Sequence, residues 1–184
     1  MQIGFYFNQS RCTGCYTCSI ACKDWHDIQD DSVQWRRVIP LEKGRYPNVS
    51  LSYISLSCNH CEHPLCLEAC PVGAITKRKE DGIMVVDQAQ CLGKDRCEMF
   101  CRQACPYQVP QFGTEEDAKM QMCTLCLDRF LENKKPVCVD ACPMRALDAG
   151  PMDELKKKYG DQKEVEGFVC SLQTKPSVVF TKRY

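Results

Sequence analysis

Sixteen of the seventeen cysteines in this 184-residue chain fall into four groups of four, and that spacing limits what the chain can fold into. Cys12, Cys15, Cys18 and Cys22 read C-x2-C-x2-C-x3-C. Cys58, Cys61, Cys66 and Cys70 read C-x2-C-x4-C-x3-C. Cys91, Cys97, Cys101 and Cys105 read C-x5-C-x3-C-x3-C, and Cys123, Cys126, Cys138 and Cys142 read C-x2-C-x11-C-x3-C. The last three groups end in Cys-Pro, at Pro71, Pro106 and Pro143; the first ends in Cys22-Lys23, so its helix is free to continue. Apolar residues are 44% of the chain and cysteine is about a fifth of them, so aliphatic side chains alone leave the core thin and something else must fill it.

Three chemistries use this many cysteines. A disulfide framework goes with an oxidising compartment and usually a leader segment, but the opening Met1-Gln2-Ile3-Gly4-Phe5-Tyr6 has neither a basic stretch nor an apolar one. Structural zinc sites are typically built from separated C-x2-C pairs. Three cysteines within seven residues, with a fourth soon after, instead suit iron–sulfur cubes: three thiolates wrap one cube and the fourth reaches another. Lys plus Arg and Asp plus Glu balance at 24 each, which does not indicate a nucleic-acid-binding surface. No apolar run is long enough to span a membrane. No nucleotide loop and no nucleophile paired with a base appears, so the chain reads as non-catalytic.

The elements expected between the groups make an α+β fold of short helices, hairpins and long cluster-binding loops. A strand is predicted over 2–8 with Ile3, Phe5 and Phe7 facing in, and a helix over 16–25 carrying Cys18 and Cys22. Gly14 lies where a side chain would crowd a cluster. Strands follow over 33–41 and 49–57, the second alternating Val49, Leu51 and Tyr53 (or Ile54) with serines, around a loop marked by Pro40, Gly44, Pro47 and Asn48. A hairpin over 76–86 turns at Asp81-Gly82, and its Lys77-Arg78-Lys79 reads as a solvated edge, with tuning of a nearby cluster or docking of an acidic partner as the alternatives. A loop and short helix are expected over 119–131, a helix carrying Cys138 and Cys142, a helix over 153–159 and a strand over 177–180. His60 and His63 read as local hydrogen-bonding groups, not ligands, and Cys170 as a buried thiol outside the groups.

Ala21-Cys22, Ala69-Cys70-Pro71, Ala104-Cys105-Pro106 and Ala141-Cys142-Pro143 form an internal repeat, each resembling half of a two-cluster ferredoxin. The halves can pair one with two and three with four, or one with four and two with three. Groups two and three flank one hairpin and lie only about twenty residues apart, which favours nesting.

Arg11-Cys12-Thr13-Gly14-Cys15, Ser57-Cys58-Asn59-His60-Cys61-Glu62, the Lys-Arg-Lys-Glu-Asp-Gly hairpin, Ala104-Cys105-Pro106-Tyr107 and Pro143-Met144-Arg145-Ala146-Leu147-Asp148 carry a family resemblance. It extends to Gly150-Pro151-Met152-Asp153-Glu154-Leu155 and Thr174-Lys175-Pro176. The chain resembles the four-cluster ferredoxin-like electron-transfer subunits of molybdenum and tungsten oxidoreductases, among them the iron–sulfur subunits of anaerobic dimethyl sulfoxide reductases. The five-residue gap between Cys91 and Cys97 departs from the usual pattern.

The resemblance implies four [4Fe–4S] clusters and the nested pairing. Cluster A would take Cys12, Cys15, Cys18 and Cys142, and cluster B Cys22, Cys123, Cys126 and Cys138. Cluster C would take Cys58, Cys61, Cys66 and Cys105, and cluster D Cys70, Cys91, Cys97 and Cys101. Residues 1–57 with 111–184 would form an outer ferredoxin-like module with a C-terminal extension, and 58–110 an inner one. The implied function is single-electron relay between a large molybdenum- or tungsten-pterin catalytic subunit and a further redox or membrane-anchor subunit, under anaerobic conditions. A free polyferredoxin carrier is the alternative. The expected location is cytoplasmic, or export together with a partner subunit.

Overall fold

The computed structural model describes residues 1–183. Its elements, in chain order, are β1 (Ile3–Asn8), α1 (Thr17–Trp25), β2 (Arg37–Arg45), β3 (Asn48–Leu56), α2 (Leu65–Glu68), β4 (Ile75–Lys77) and β5 (Met84–Val86). There follow α3 (Lys94–Cys97), α4 (Phe100–Ala104), α5 (Leu127–Leu131), α6 (Val137–Asp140), β6 (Leu147–Pro151), α7 (Met152–Tyr159) and β7 (Val178–Thr181). The chain is thus a mixed α+β fold of short helices and three small sheets.

β1 is the centre of the three-stranded sheet β6–β1–β7, antiparallel to β6 with Phe7 opposite Leu147, and parallel to β7 with Phe5 opposite Val178. Ile3, Phe5 and Phe7 enter the main core, as their alternation predicts. The other face is not solvated, because α7 covers it: Tyr6, Met152, Leu155 and Val179 form a second cluster, and the Tyr6 and Tyr159 rings stack at 3.6 Å. β6 was not among the predicted elements. Its signal is the repeat itself, since Cys70-Pro71-Val72-Gly73-Ala74-Ile75 leads into β4 as Cys142-Pro143-Met144-Arg145-Ala146-Leu147 leads into β6.

α1 runs nine residues, whereas α2 and α6 stop after four. Lys23 occupies the position where Pro71 and Pro143 would end a helix, and the helix continues to Trp25. Cys142 lies beyond α6, past the capping residue Ala141, and not on the helix as expected.

The β2–β3 hairpin departs most from expectation. β2 begins at Arg37 and runs through both Pro40 and Gly44, so only Tyr46 and Pro47 form the turn. Pro40 is tolerated because β2 pairs on one side only and its missing N–H lies on the open edge. Gly44, at φ +90°, makes the tight approach to the turn, where an added Cβ would lie 2.1 Å from the Asn48 carbonyl oxygen. Val49 and Leu51 are exposed, while Ser52, Ile54 and Ser55 are buried. The outer half of this hairpin carries apolar residues in solvent, and only its base enters the core.

The β4–β5 hairpin forms as predicted, but its basic edge is only partly solvated. Lys77 Nζ donates to the Cys61 and Glu62 carbonyls at 2.7 and 3.1 Å, and Arg78 pairs with the buried Asp81 at 2.9 Å; Lys79 alone is exposed. α1 packs on α6, and α2 on α4, so group one meets group four and group two meets group three. Among the described residues no helix is long and apolar enough to cross a membrane.

Candidate metal centre

Three cysteine loops share one backbone device. In Cys12-Thr13-Gly14-Cys15, Cys58-Asn59-His60-Cys61 and Cys123-Thr124-Leu125-Cys126, the third residue is left-handed, with φ of +71°, +44° and +57°. This turns its amide toward the first sulfur: His60 N–H donates to Cys58 Sγ at 3.4 Å, Leu125 N–H to Cys123 Sγ at 3.3 Å, and Gly14 N–H to Cys12. Tyr53 supplies a further reason for glycine at position 14. A Cβ there would lie 2.3–2.5 Å from the Tyr53 ring, in a backbone conformation few side chains adopt.

A second device follows each Cys-Pro. Gly73, Gln108 and Arg145 are left-handed, and after the first and last of these the Ala74 and Ala146 amides donate to Cys70 and Cys142 Sγ at 3.3 Å. Met120 N–H reaches Cys91 Sγ at 3.4 Å across the sequence. Amides aimed at sulfur favour thiolate over thiol.

The cysteines assemble in sets drawn from different groups. Cys12, Cys15, Cys18 and Cys142 line one cavity, walled otherwise by residues such as Phe7, Val38 and Leu147. Cys70, Cys91, Cys97 and Cys101 line another with Ile75, Phe100 and Phe112. Cys22 has Cys123, Cys126 and Cys138 as its charge neighbours. Cys61 and Cys66 have Cys105 beside them, and Cys58 has Cys61 and Cys66. We label these quartets A, D, B and C. The long Cys91–Cys97 gap is taken up by Gly93 and α3, held by Lys94 Nζ on the Gly113 and Thr114 carbonyls, and it leaves quartet D together.

The quartets also influence one another in series. Cys18 of A lies within charge-interaction range of Cys138 of B, Cys123 of B of Cys58 of C, and Cys66 of C of Cys101 of D.

As free thiols these groups resist ionisation. Burial pushes Cys66, Cys101 and Cys126 up to about 12 and Cys61 and Cys138 to about 11, and it also lifts Cys22 and Cys58, with neighbouring sulfurs adding to the effect. The exposed Cys15 goes the other way, lowered by the Thr17 hydroxyl and amide. Four thiolates gathered in one place, most of them wholly or partly buried, hold together only around a positively charged body. Among the described residues no three His, Cys, Asp or Glu side chains stand placed to hold a single metal ion. Orphaned buried polar atoms fit the same body: Asn59 Nδ2 and His60 Nε2 in the Cys58–Cys61 loop, Thr174 Oγ1 beside Cys61, and Arg36 Nε. The donor set, the cavities and the amides therefore fit iron–sulfur clusters.

Residues 49–152 match the model of a family described as "4Fe-4S dicluster domain". The chain is 46% identical to the B subunit of the anaerobic dimethyl sulfoxide reductase of Escherichia coli strain K12, over 97% of this chain and 87% of that one. It is 41% identical to the protein of the same name from Haemophilus influenzae, over 97% and 88%. It is 35% identical to the thiosulfate reductase electron transfer subunit PhsB of Salmonella typhi, over 86% and 81%.

The chain belongs to this family of iron–sulfur electron-transfer subunits.

Membership makes the prosthetic groups iron–sulfur clusters and the task electron transfer. Within that frame His60 is a local hydrogen-bonding group: its Nδ1 accepts from Met84 N–H at 3.0 Å, and burial drives its pKa down to about 3. Cys170 is half-buried on a surface groove with Tyr107 and Phe168, less enclosed than expected. Two residues escaped the sequence reading. His26 Nε2 lies 3.3 Å from Cys126 Sγ with its ring on Trp35, and Arg36 is buried among the cysteines. Neither stands in a cysteine motif. The one available signal was a charged residue, Arg36, inside a stretch otherwise patterned as strand.

Proposed function

We propose that this iron–sulfur subunit holds four [4Fe–4S] clusters, one in each quartet, and relays single electrons between a molybdenum- or tungsten-pterin catalytic subunit and a second redox partner. The ligand sets are those of quartets A, B, C and D, and the two nested modules are 1–57 with 111–184 and 58–110. The observation that carries this reading is the electrostatic proximity of the quartets in the order A–B–C–D, through Cys18 and Cys138, Cys123 and Cys58, and Cys66 and Cys101. Packing of α1 on α6 and of α2 on α4 supports the nesting.

Each bound cluster supplies a site that takes up and gives back one electron. The protein does the rest. Its cysteines fix the spacing, and apolar walls such as Phe7, Phe100 and Phe112 keep water from the cavities. Amides of Gly14, His60, Ala74, Met120, Leu125 and Ala146 set how readily each thiolate environment accepts added negative charge. Substrate chemistry belongs to the catalytic partner. The relatives' names include dimethyl sulfoxide and thiosulfate reductases, so one kind of relay serves different substrates. A link to a membrane is assigned to another subunit.

The test is anaerobic purification of the native protein from its source, with metal analysis of the co-eluting material. Iron, together with molybdenum or tungsten and a larger polypeptide, is the expected result. Iron and sulfide travelling with this chain alone would replace the relay by a freely diffusing carrier.

A further inference from the structure

Arg36 is 2% exposed and, among the described residues, forms no ion pair. Its guanidinium donates through Nη1 to Ser55 Oγ at 3.1 Å and through Nη2 to Ser57 Oγ at 2.8 Å, lies 4.6 Å over the Phe5 ring, and leaves Nε without a partner. A buried guanidinium stays charged and is strongly destabilising unless negative charge stands nearby. What stands nearby is sulfur: Cys18 of quartet A, and Cys22, Cys123 and Cys138 of quartet B.

The two serines extend the contact. Ser55 Oγ is 3.5 Å from Cys18 Sγ, and the Ser57 hydroxyl is within bonding reach of Cys123. Each serine oxygen accepts from Arg36, so its own proton is free to point at sulfur. Ser57 has one other acceptor, the Cys58 carbonyl, at a long 3.5 Å. Ser55 thus leads to A and Ser57 to B, and one cation serves both. The Arg36 carbonyl is pinned by Ser19 Oγ at 2.7 Å, from the helix that carries Cys18 and Cys22, which fixes the cation relative to both ligands.

We infer that Arg36 is a shared, permanently charged counter-ion of quartets A and B that makes electron arrival easier there than it would otherwise be. The inference rests on the proposed reading that these quartets hold clusters. Each reduction takes one electron from the neighbouring one-electron carrier and breaks no bond. It carries a core with its four thiolates from about −2 to about −3, and a fixed positive charge lowers the energy of the second state more than the first. A and B, sharing Arg36, are thereby set apart from C and D.

The experiment is a potentiometric titration, followed by electron paramagnetic resonance, on the complex carrying Arg36→Gln, Arg36→Lys, Ser55→Ala or Ser57→Ala, with iron and sulfide measured first. With clusters intact, Arg36→Gln is expected to shift the reduction equilibrium of two clusters at least tenfold toward the oxidised form, 59 mV for one electron, and leave the other two in place. Arg36→Lys keeps the charge and is expected to move them less. Ser55→Ala and Ser57→Ala are expected to lower one cluster each, and not the same one, which decides the matter even where Arg36→Gln fails to hold its iron. Unmoved potentials in iron-replete variants, or an equal shift of all four, overturn the inference. Wild-type protein without iron and sulfide would instead defeat the cluster reading itself.

Discussion

Asp148 shows how much one side chain outside the cysteine loops contributes. Burial alone would lift its carboxyl, but hydrogen bonds from Lys135, Tyr159 and the Ala149 amide hold it down at about 2. A depressed acid stabilises the fold above its ordinary pKa of 3.8 and loses that contribution as pH falls through about 2, so at neutral pH the whole of it is present. After allowance for solvent screening it amounts to about 1–2 kcal/mol. Asp148→Asn is therefore expected to lower the temperature midpoint of cluster bleaching at pH 7 by about 2–6 °C, read from visible absorbance. An unchanged midpoint would show that the Lys135 and Lys158 pairs are only surface contacts. Gly14→Ala tests the first loop: it strains a left-handed residue and drives a methyl into Tyr53. It is expected to destabilise the loop by about 1–3 kcal/mol and to perturb one cluster, seen as a change in one resonance signal of four. Neither residue's role was legible beforehand in full. The need for glycine at position 14 was, but the Tyr53 ring that enforces it comes from a hairpin thirty-nine positions away.

Elements were legible where local chemistry decided them. The alternation of Ile3, Phe5 and Phe7 marks β1, Lys23 in place of proline marks the longer α1, and Asp81-Gly82 marks the second hairpin. They were misread where distant partners decided them. Pro40 and Gly44 look like loop residues, yet an unpaired edge and a close turn accept them inside β2. Burial along β3 follows what lies above each position, so Ile54 is fully enclosed and Val49 is 49% exposed, although both are β-branched residues in one strand. Ile54→Ala is expected to cost about 2–5 kcal/mol and Val49→Ser within about 0.5 kcal/mol, compared by thermal bleaching of the clusters. Equal losses from the two would put the hairpin's outer half back in the core.

At the scale of the molecule, the cysteine groups announced their chemistry and leaned toward nesting, because groups two and three lie close in sequence, but spacing alone left both pairings open. The packing of α1 on α6 and of α2 on α4 supports the nested one. Each quartet includes a thiol from a remote group, Cys142 for A, Cys22 for B, Cys105 for C and Cys70 for D, so on the proposed ligand sets cluster loading and chain folding are one process. Cys105→Ser separates the two ways of pairing the groups. It is expected to alter one cluster, that of Cys58, Cys61 and Cys66, and to leave the cluster of Cys123, Cys126 and Cys138 with an unchanged potential. Loss of the latter instead would pair group three with group four and contradict quartets B and C.

The central claim is that four quartets hold four cubes, and it is tested most directly by counting iron and acid-labile sulfide in anaerobically purified protein. About sixteen of each per chain is the expected result. About eight of each, or zinc in place of iron with no sulfide, would contradict it.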